Sequence, residues 1–458
     1  MRHFDLVIIG TGSGNTILDE RFDSLDVAIV EQGLFGGTCM NVGCVPTKMF
    51  VYAADVAETI RGASAFGIDA TVDKIRWSDI RDRVFARVDP VAVDGKRYRI
   101  EDNPNVTVYT GHGVFTDHKA MRVYLGNDRT EDITADQFVI AAGARPVIPA
   151  EVTASTVPPF HTSDTIMRID EVPERLVILG GGYVAAEFAH IFGALGSDVT
   201  IVARGPQLLR QLDETLSERF TACARERWRV RTGAGVAHID GDSDDVRLLL
   251  HDGDTIAGDT LLVATGRTPN ADRLDVGATG VRTHPDGRVV VDRHQRTTVD
   301  GIFALGDVSS PYQLKHVANH EASVVAHNVL HPDQPVATDH RYVPAAVFTE
   351  PQIATVGVTE AQAEKYGLDY TVKIQSYSDV AFGWAAEDTT GFCKVIAVRG
   401  TGELLGAHVM GPQAATVIQP LIQAMSFGLR APEMARGQYW IHPAPPEVVE
   451  NALLGLEL

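Results

Sequence analysis

Apolar runs and glycine turns alternate along the first third of the chain. Phe4–Gly10 reads as a buried strand entering a glycine loop, and Val27–Val30 reads as a second strand. Ala and Val at helical spacing predict a helix from Pro46 to Ile60, closed by Gly62. Arg61–Asp102 is charged and predicts mostly helix, and short strands are expected over Asn105–Phe115 and Met121–Tyr124. Gln137–Gly143 is another buried strand. The opening pattern then returns: Arg175–Gly180 is an apolar strand entering a second glycine turn, followed by strands at Asp198–Val202, Leu261–Asn270 and Ile302–Ser309. From about Tyr342 the character changes to strand-like segments at Ala346–Phe348, Tyr370–Ile374, Cys393–Val398 and Leu404–Val409, with a helix over Ala414–Phe427. Strands alternating with helices predict an α/β fold.

At 458 residues, the length suits several domains. A net charge of −20 argues against nucleic acid or an anionic membrane as partner, and requires any pocket for an anionic cofactor to be locally basic. No segment approaches the roughly 20 apolar residues of a membrane span, and the first apolar run is too short for a signal peptide. Four unevenly spaced cysteines make no secreted disulfide framework, so a cytoplasmic setting is expected. Cys223 and Cys393 read as structural, and no metal site is expected.

The two glycine turns carry the candidate chemistry. Gly10, Gly12 and Gly14 form a G-x-G-x-x turn with Asn15 in place of the last glycine, and Glu31 ends the next strand, where an acidic group can take ribose hydroxyls. The helix expected after this turn reads NTILDERF. The second turn places Gly180, Gly182 and Ala185 in a G-x-G-x-x-A pattern, with Glu187 behind it. The strand after it ends in Ala203 and Arg204 where an acidic residue would favour NAD, and Arg210 follows. Two guanidiniums there suit a 2′-phosphate, hence NADPH. Between the turns lies GGTCMNVGCVPTKM, Gly36–Met49, with Cys39 and Cys44 five apart. Two buried thiols at a helix start are one reading of it and a redox pair is the other. A regular helix holds residues five apart too far for a disulfide, so a bridge would need an irregular first turn, for which Gly43 and Pro46 are suited.

This segment resembles the active-site stretch of the FAD-dependent pyridine nucleotide–disulfide oxidoreductases, and the resemblance extends over essentially the whole chain. It implies two Rossmann-like dinucleotide-binding domains, for FAD and NADPH, and a C-terminal α+β dimerisation domain. The expected boundaries are 1–149 (FAD), 150–267 (NADPH), 268–338 (return segment completing the FAD domain) and 339–458 (dimerisation). It further implies that Cys39 and Cys44 form a redox-active disulfide, with Cys39 as exchange thiol. By the same resemblance, Gly37, Thr38, Gly113, Gly143, Gly266, Gly306 and Asp307 lie along FAD, with Asp307 on a ribityl hydroxyl. Lys48 pairs with Glu187 beside the flavin, and Tyr183 covers the nicotinamide pocket. His442 and Glu447, in WIHPAPPEVVENALL, are the implied acid/base pair, supplied by the partner of a homodimer. The expected substrate is a small disulfide. Glutathione disulfide is multiply anionic, and Asp19 and Glu20 after the first turn would repel it. With Asn15 and RGQYWIHPAPPEVVENALLG, these features resemble most the members that reduce mycothione, the disulfide of mycothiol. A glutathione-disulfide reductase or dihydrolipoamide dehydrogenase is the alternative.

Overall fold

In a computed structural model, residues 1–155, 160–242 and 245–458 are described. The first sheet runs Val106–Thr110, Val27–Glu31, Arg2–Ile9, Arg129–Ile140, Ala120–Gly126, His112–Asp117, with Ile302–Ala304 also paired to Arg129–Ile140. The strands around Arg2–Ile9 are parallel, and those at the other edge antiparallel. Leu6, Val7 and Ile8 are all fully buried, as a central parallel strand covered on both faces requires.

A second parallel sheet orders Arg229–Arg231, Asp198–Val202, Arg175–Leu179, Thr260–Val263, and a three-stranded antiparallel sheet over 236–258 packs beside it. Two short strands, Ala144–Pro146 and Arg267–Pro269, pair where the chain leaves the first sheet and returns to it. The fifth sheet is antiparallel, in the order Ala345–Val347, Ile353–Gly357, Leu404–Met410, Phe392–Val398, Tyr370–Ser376. The α/β class expected from the sequence is the one observed.

Several local expectations are corrected. The chain after the first glycine turn does not form a regular helix but two 3₁₀ turns, Gly14–Ile17 and Glu20–Phe22. Asp19 interrupts them in extended backbone, its carboxylate accepting the Arg21 amide. Buried Arg99 caps the truncated element: it donates to the Asn15 side chain at 2.9 Å and to the carbonyls of Asn15 and Leu18 at 2.8 and 3.2 Å. The helix after the cysteines starts at Cys44, two residues before Pro46, because proline in a first turn forfeits no helical hydrogen bond. Between residues 61 and 102 a loop over 67–76 separates that helix from the Trp77–Glu101 helix. The expected Ala414–Phe427 helix breaks at Ile418, next to Pro420, which has no N–H to give. The strand Ile353–Gly357 was not foreseen.

Candidate active site

A cleft of about 650 Å³ is lined by residues of the first glycine turn, the helix that follows the second, the cysteine segment and the Gly306–Asp307 loop. Its floor is set by close backbone approach. Gly37, at φ +65°, lies against the first turn so tightly that a Cβ would sit 2.7 Å from Gly12 Cα. Glu31 secures the same turn, its Oε2 accepting from the Thr11 amide (2.8 Å) and hydroxyl (2.7 Å) and its Oε1 from the Gly33 amide (2.7 Å). The Gly12 and Ser13 amides have no protein acceptor among the described residues. A turn with free amides and no side chain in its way fits a dinucleotide diphosphate.

Cys39 and Cys44 form a disulfide with their Cα atoms 4.6 Å apart. The break that permits it is local. The short helix Gly37–Asn41 carries Cys39, Val42 and Gly43 leave helical geometry, and Cys44 opens the long helix Cys44–Gly62. Asn41 holds the bend by donating to the carbonyls of Phe35 (2.8 Å) and Gly37 (3.0 Å). One turn beyond Cys44, the Lys48 ammonium lies 2.5 Å from Glu187 Oε2, while Glu187 Oε1 accepts the Phe348 amide at 3.0 Å. This pair joins the disulfide-bearing helix to the helix behind the second turn, Tyr183–Ala194.

The structure places Gly10, Gly12, Glu31, Gly37, Thr38, Cys39, Cys44, Lys48, Gly113, Gly143, Tyr183, Glu187, Gly306 and Asp307 on this one cleft. Gly14 stands behind the turn, packed on Ala141 and Ile8. Asp307 follows the strand Ile302–Ala304, and burial pushes its carboxyl up from the ordinary range, opposed by the Arg267 guanidinium. Its neighbour Gly306 is held by its amide, which donates to buried Glu321 at 2.7 Å. Gly180, Gly182 and Ala185 lie outside the cleft lining. Gly182 is the N-cap of the Tyr183–Ala194 helix, Ala185 is fully buried in it, and Gly266 adopts φ +131° just before Arg267–Pro269. Arg204 and Arg210 are exposed after the Asp198–Val202 strand. Neither has a hydrogen bond or ion pair among the described residues, so both are free to meet a phosphate.

His442 and Glu447 do face one another, with Nδ1 and Oε1 2.6 Å apart. Glu447 begins the helix Glu447–Leu454 and is largely buried, whereas His442 is 69% exposed. The pair is outside the disulfide cleft, so a single chain does not bring the two halves together. Asp19 and Glu20 also lie off the cleft, and Asp19 is committed to a bidentate pair with Arg21 at 2.7 and 2.9 Å. The expected acidic surface therefore reduces to one free carboxylate, that of Glu20. Sequence reading missed Ser13, Arg145, Arg267 and Lys315, which also line the cleft. Ser13 lies inside the fingerprint, and Arg145 and Arg267 lie in the glycine-containing stretches AAGARP and ATGRTPN; Lys315 carried no signal.

Residues 4–322 match the family described as pyridine nucleotide-disulphide oxidoreductase, and residues 343–453 match the dimerisation domain of that family. The chain is 61% identical to a mycothione reductase of Mycobacterium tuberculosis, over 100% of both chains. It is 34% identical to a mercuric reductase of Shigella flexneri, covering 93% of this chain and 76% of the relative. Among solved structures, the HOCl-induced flavoprotein disulfide reductase RclA of Escherichia coli superposes with a TM-score of 0.87 at 28% identity, over 99% of both chains.

Proposed function

The chain belongs to the pyridine nucleotide–disulfide oxidoreductases, and from that membership we propose that it reduces mycothione to two mycothiol with NADPH as donor. The observation that carries this reading is the Cys39–Cys44 disulfide on a cleft that also holds the free amides of a dinucleotide turn. The 61% identity to a mycothione reductase supports the choice of substrate. In this reading residues 1–149 and 268–338 hold FAD, 150–267 hold NADPH, and 339–458 form the contact of a homodimer. No helix among the described residues is long and apolar enough to cross a membrane. We place the enzyme in the cytoplasm, where NADPH is available and a lone redox disulfide is cycled.

FAD, when bound, passes the two electrons of NADPH to the disulfide. The chain's own residues do the rest. Opening the disulfide frees Cys39 and Cys44 as one thiolate and one thiol. Cys39 attacks one sulfur of the substrate, breaking its S–S bond and forming a mixed disulfide, and the departing thiolate must be protonated. The partner's copy of the His442 side chain supplies that proton, and the Glu447 carboxylate fixes the ring through Nδ1, leaving Nε2 for the substrate. Cys44 then attacks Cys39, releasing the second thiol and restoring the disulfide. The sum is NADPH, a proton and one disulfide giving NADP⁺ and two thiols. Lys48, held by Glu187, keeps the Cys44 helix in register with the nucleotide helix, and Arg204 with Arg210 takes the 2′-phosphate.

Steady-state NADPH oxidation with mycothione, glutathione disulfide and lipoamide as parallel acceptors tests this proposal. Turnover confined to mycothione is expected. Preferential turnover of glutathione disulfide would reject the substrate while leaving the disulfide chemistry intact, an outcome made concrete by the neutralised Asp19.

A further inference from the structure

We propose that Lys315 is a cofactor-binding residue, its ammonium anchoring the diphosphate of FAD in concert with Ser13. The inference rests on the FAD reading above. Lys315 opens the helix Lys315–Leu330, whose N-terminus faces the cleft, and its Nζ lies 2.8 Å from Ser13 Oγ, in the middle of the first glycine turn. Ser13 gives its own proton to Asn319 Oδ1 at 3.0 Å, so its hydroxyl oxygen is left to accept from the lysine. That arrangement fixes where the ammonium sits.

Three facts point to an anion beside it. An ammonium has three donors and only one is used by protein here. Two other cations on the cleft are neutralised, Lys48 by Glu187 and Arg145 by Asp272 at 2.7 Å. Lys315 has no carboxylate within ion-pair distance among the described residues, and burial alone pushes its pKa down. A half-buried, unpaired cation is costly in the empty protein, and a negative ligand removes that cost. The second fact is the pair of unoccupied amides, Gly12 and Ser13, on the turn that Lys315 touches. The third is global. With a net charge of −20, the protein repels a dianionic diphosphate unless a local cation offsets the field. A diphosphate, and not the flavin ring, is indicated because the lysine meets the fingerprint turn itself.

The test is FAD binding to the full-length, flavin-stripped protein, followed by flavin fluorescence at several salt concentrations. Lys315→Met should weaken FAD binding roughly tenfold to hundredfold, the range of a charge-assisted hydrogen bond, and should flatten the salt dependence. Lys315→Arg should restore affinity to within roughly threefold by keeping the charge. Ser13→Ala, which removes the tether but not the charge, should fall between them. Circular dichroism of each stripped variant identifies any that is misfolded, and Ser13→Ala carries the test if Lys315→Met is. Native-like affinity and salt dependence in Lys315→Met would overturn the proposal. So would unchanged affinity with a shifted flavin midpoint potential, because the lysine would then act on the ring. If the unsubstituted protein failed to bind FAD, the underlying reading would fail instead, and the two results are told apart by that control.

Discussion

In the proposed mechanism, the hydrogen bond between His442 and Glu447 decides which ring nitrogen meets the substrate. The 2.6 Å contact from Nδ1 leaves Nε2 as the exposed nitrogen of an exposed ring. His442→Ala should therefore lower kcat for disulfide reduction by roughly 10²- to 10⁴-fold, the usual worth of a general acid. Flavin reduction by NADPH, followed by rapid mixing without substrate, should be unchanged; a matching loss there would mean that the histidine supports the fold instead. Arg204 and Arg210 make a second residue-scale prediction. Replacing both with alanine should raise KM for NADPH at least roughly tenfold and leave KM for NADH nearly constant, since only the former has the phosphate that charge-assisted bonds address. Equal effects on both nucleotides would remove the arginines from the 2′-phosphate. Arg204 and Arg210 stood out in the sequence because they follow a strand where an acidic residue would favour NAD. The cysteine pair and His442 with Glu447 were singled out through the family resemblance, their spacing alone leaving other readings open. Lys315 and Arg99 did not stand out. Their partners Ser13 and Asn15 lie far away in the chain, and nothing in a charged or amphipathic helix marks which cation turns inward.

Among the elements, the second glycine turn is held by a steric fact that the pattern only suggests. Gly180 sits at φ +139°, and a Cβ there would lie 2.1 Å from the Ala264 carbonyl oxygen. Gly180→Ala should cost at least about 1–3 kcal/mol of stability from backbone strain, with more from the clash, and should lower Tm measurably. An unchanged melting curve would show that the turn can open without cost. Strands at this scale were read well where apolar runs ended in glycine, as at Arg2–Ile9 and Arg175–Leu179. The 3₁₀ turns after the first fingerprint were read as helix, because the residues that replace the missing helical hydrogen bonds come from Arg99 on another element.

Across the whole molecule, the N-terminus of the helix Glu214–Arg227 and the C-terminal sheet are joined by a buried ion cluster with no sequence signature. Lys394, on the strand Phe392–Val398, lies 2.8 Å from Asp213 and 2.6 Å from Glu360, and is 1% exposed. Lys394→Met should destabilise the protein by about 3–5 kcal/mol, because Asp213 would remain buried without its cation. Beside this cluster, His408 is fully buried, and burial pushes its imidazole down to about 4 from 6.5. The unfolded chain thus binds more protons than the folded one between those values. The stability that neutral His408 contributes is complete above pH 6.5 and is lost as pH falls toward 4. Denaturation curves over that range should steepen their decline in the native protein relative to His408→Gln; parallel declines would assign the acid sensitivity elsewhere.

The claim on which all scales depend is that NADPH electrons reach Cys39–Cys44. Treating the FAD-loaded protein anaerobically with one equivalent of NADPH, alkylating it under denaturing conditions and mapping the label by mass spectrometry measures this directly. New label is expected on Cys39 and Cys44, with Cys223 and Cys393 labelled equally before and after reduction. Consumption of NADPH without new label on Cys39 and Cys44 would contradict the account.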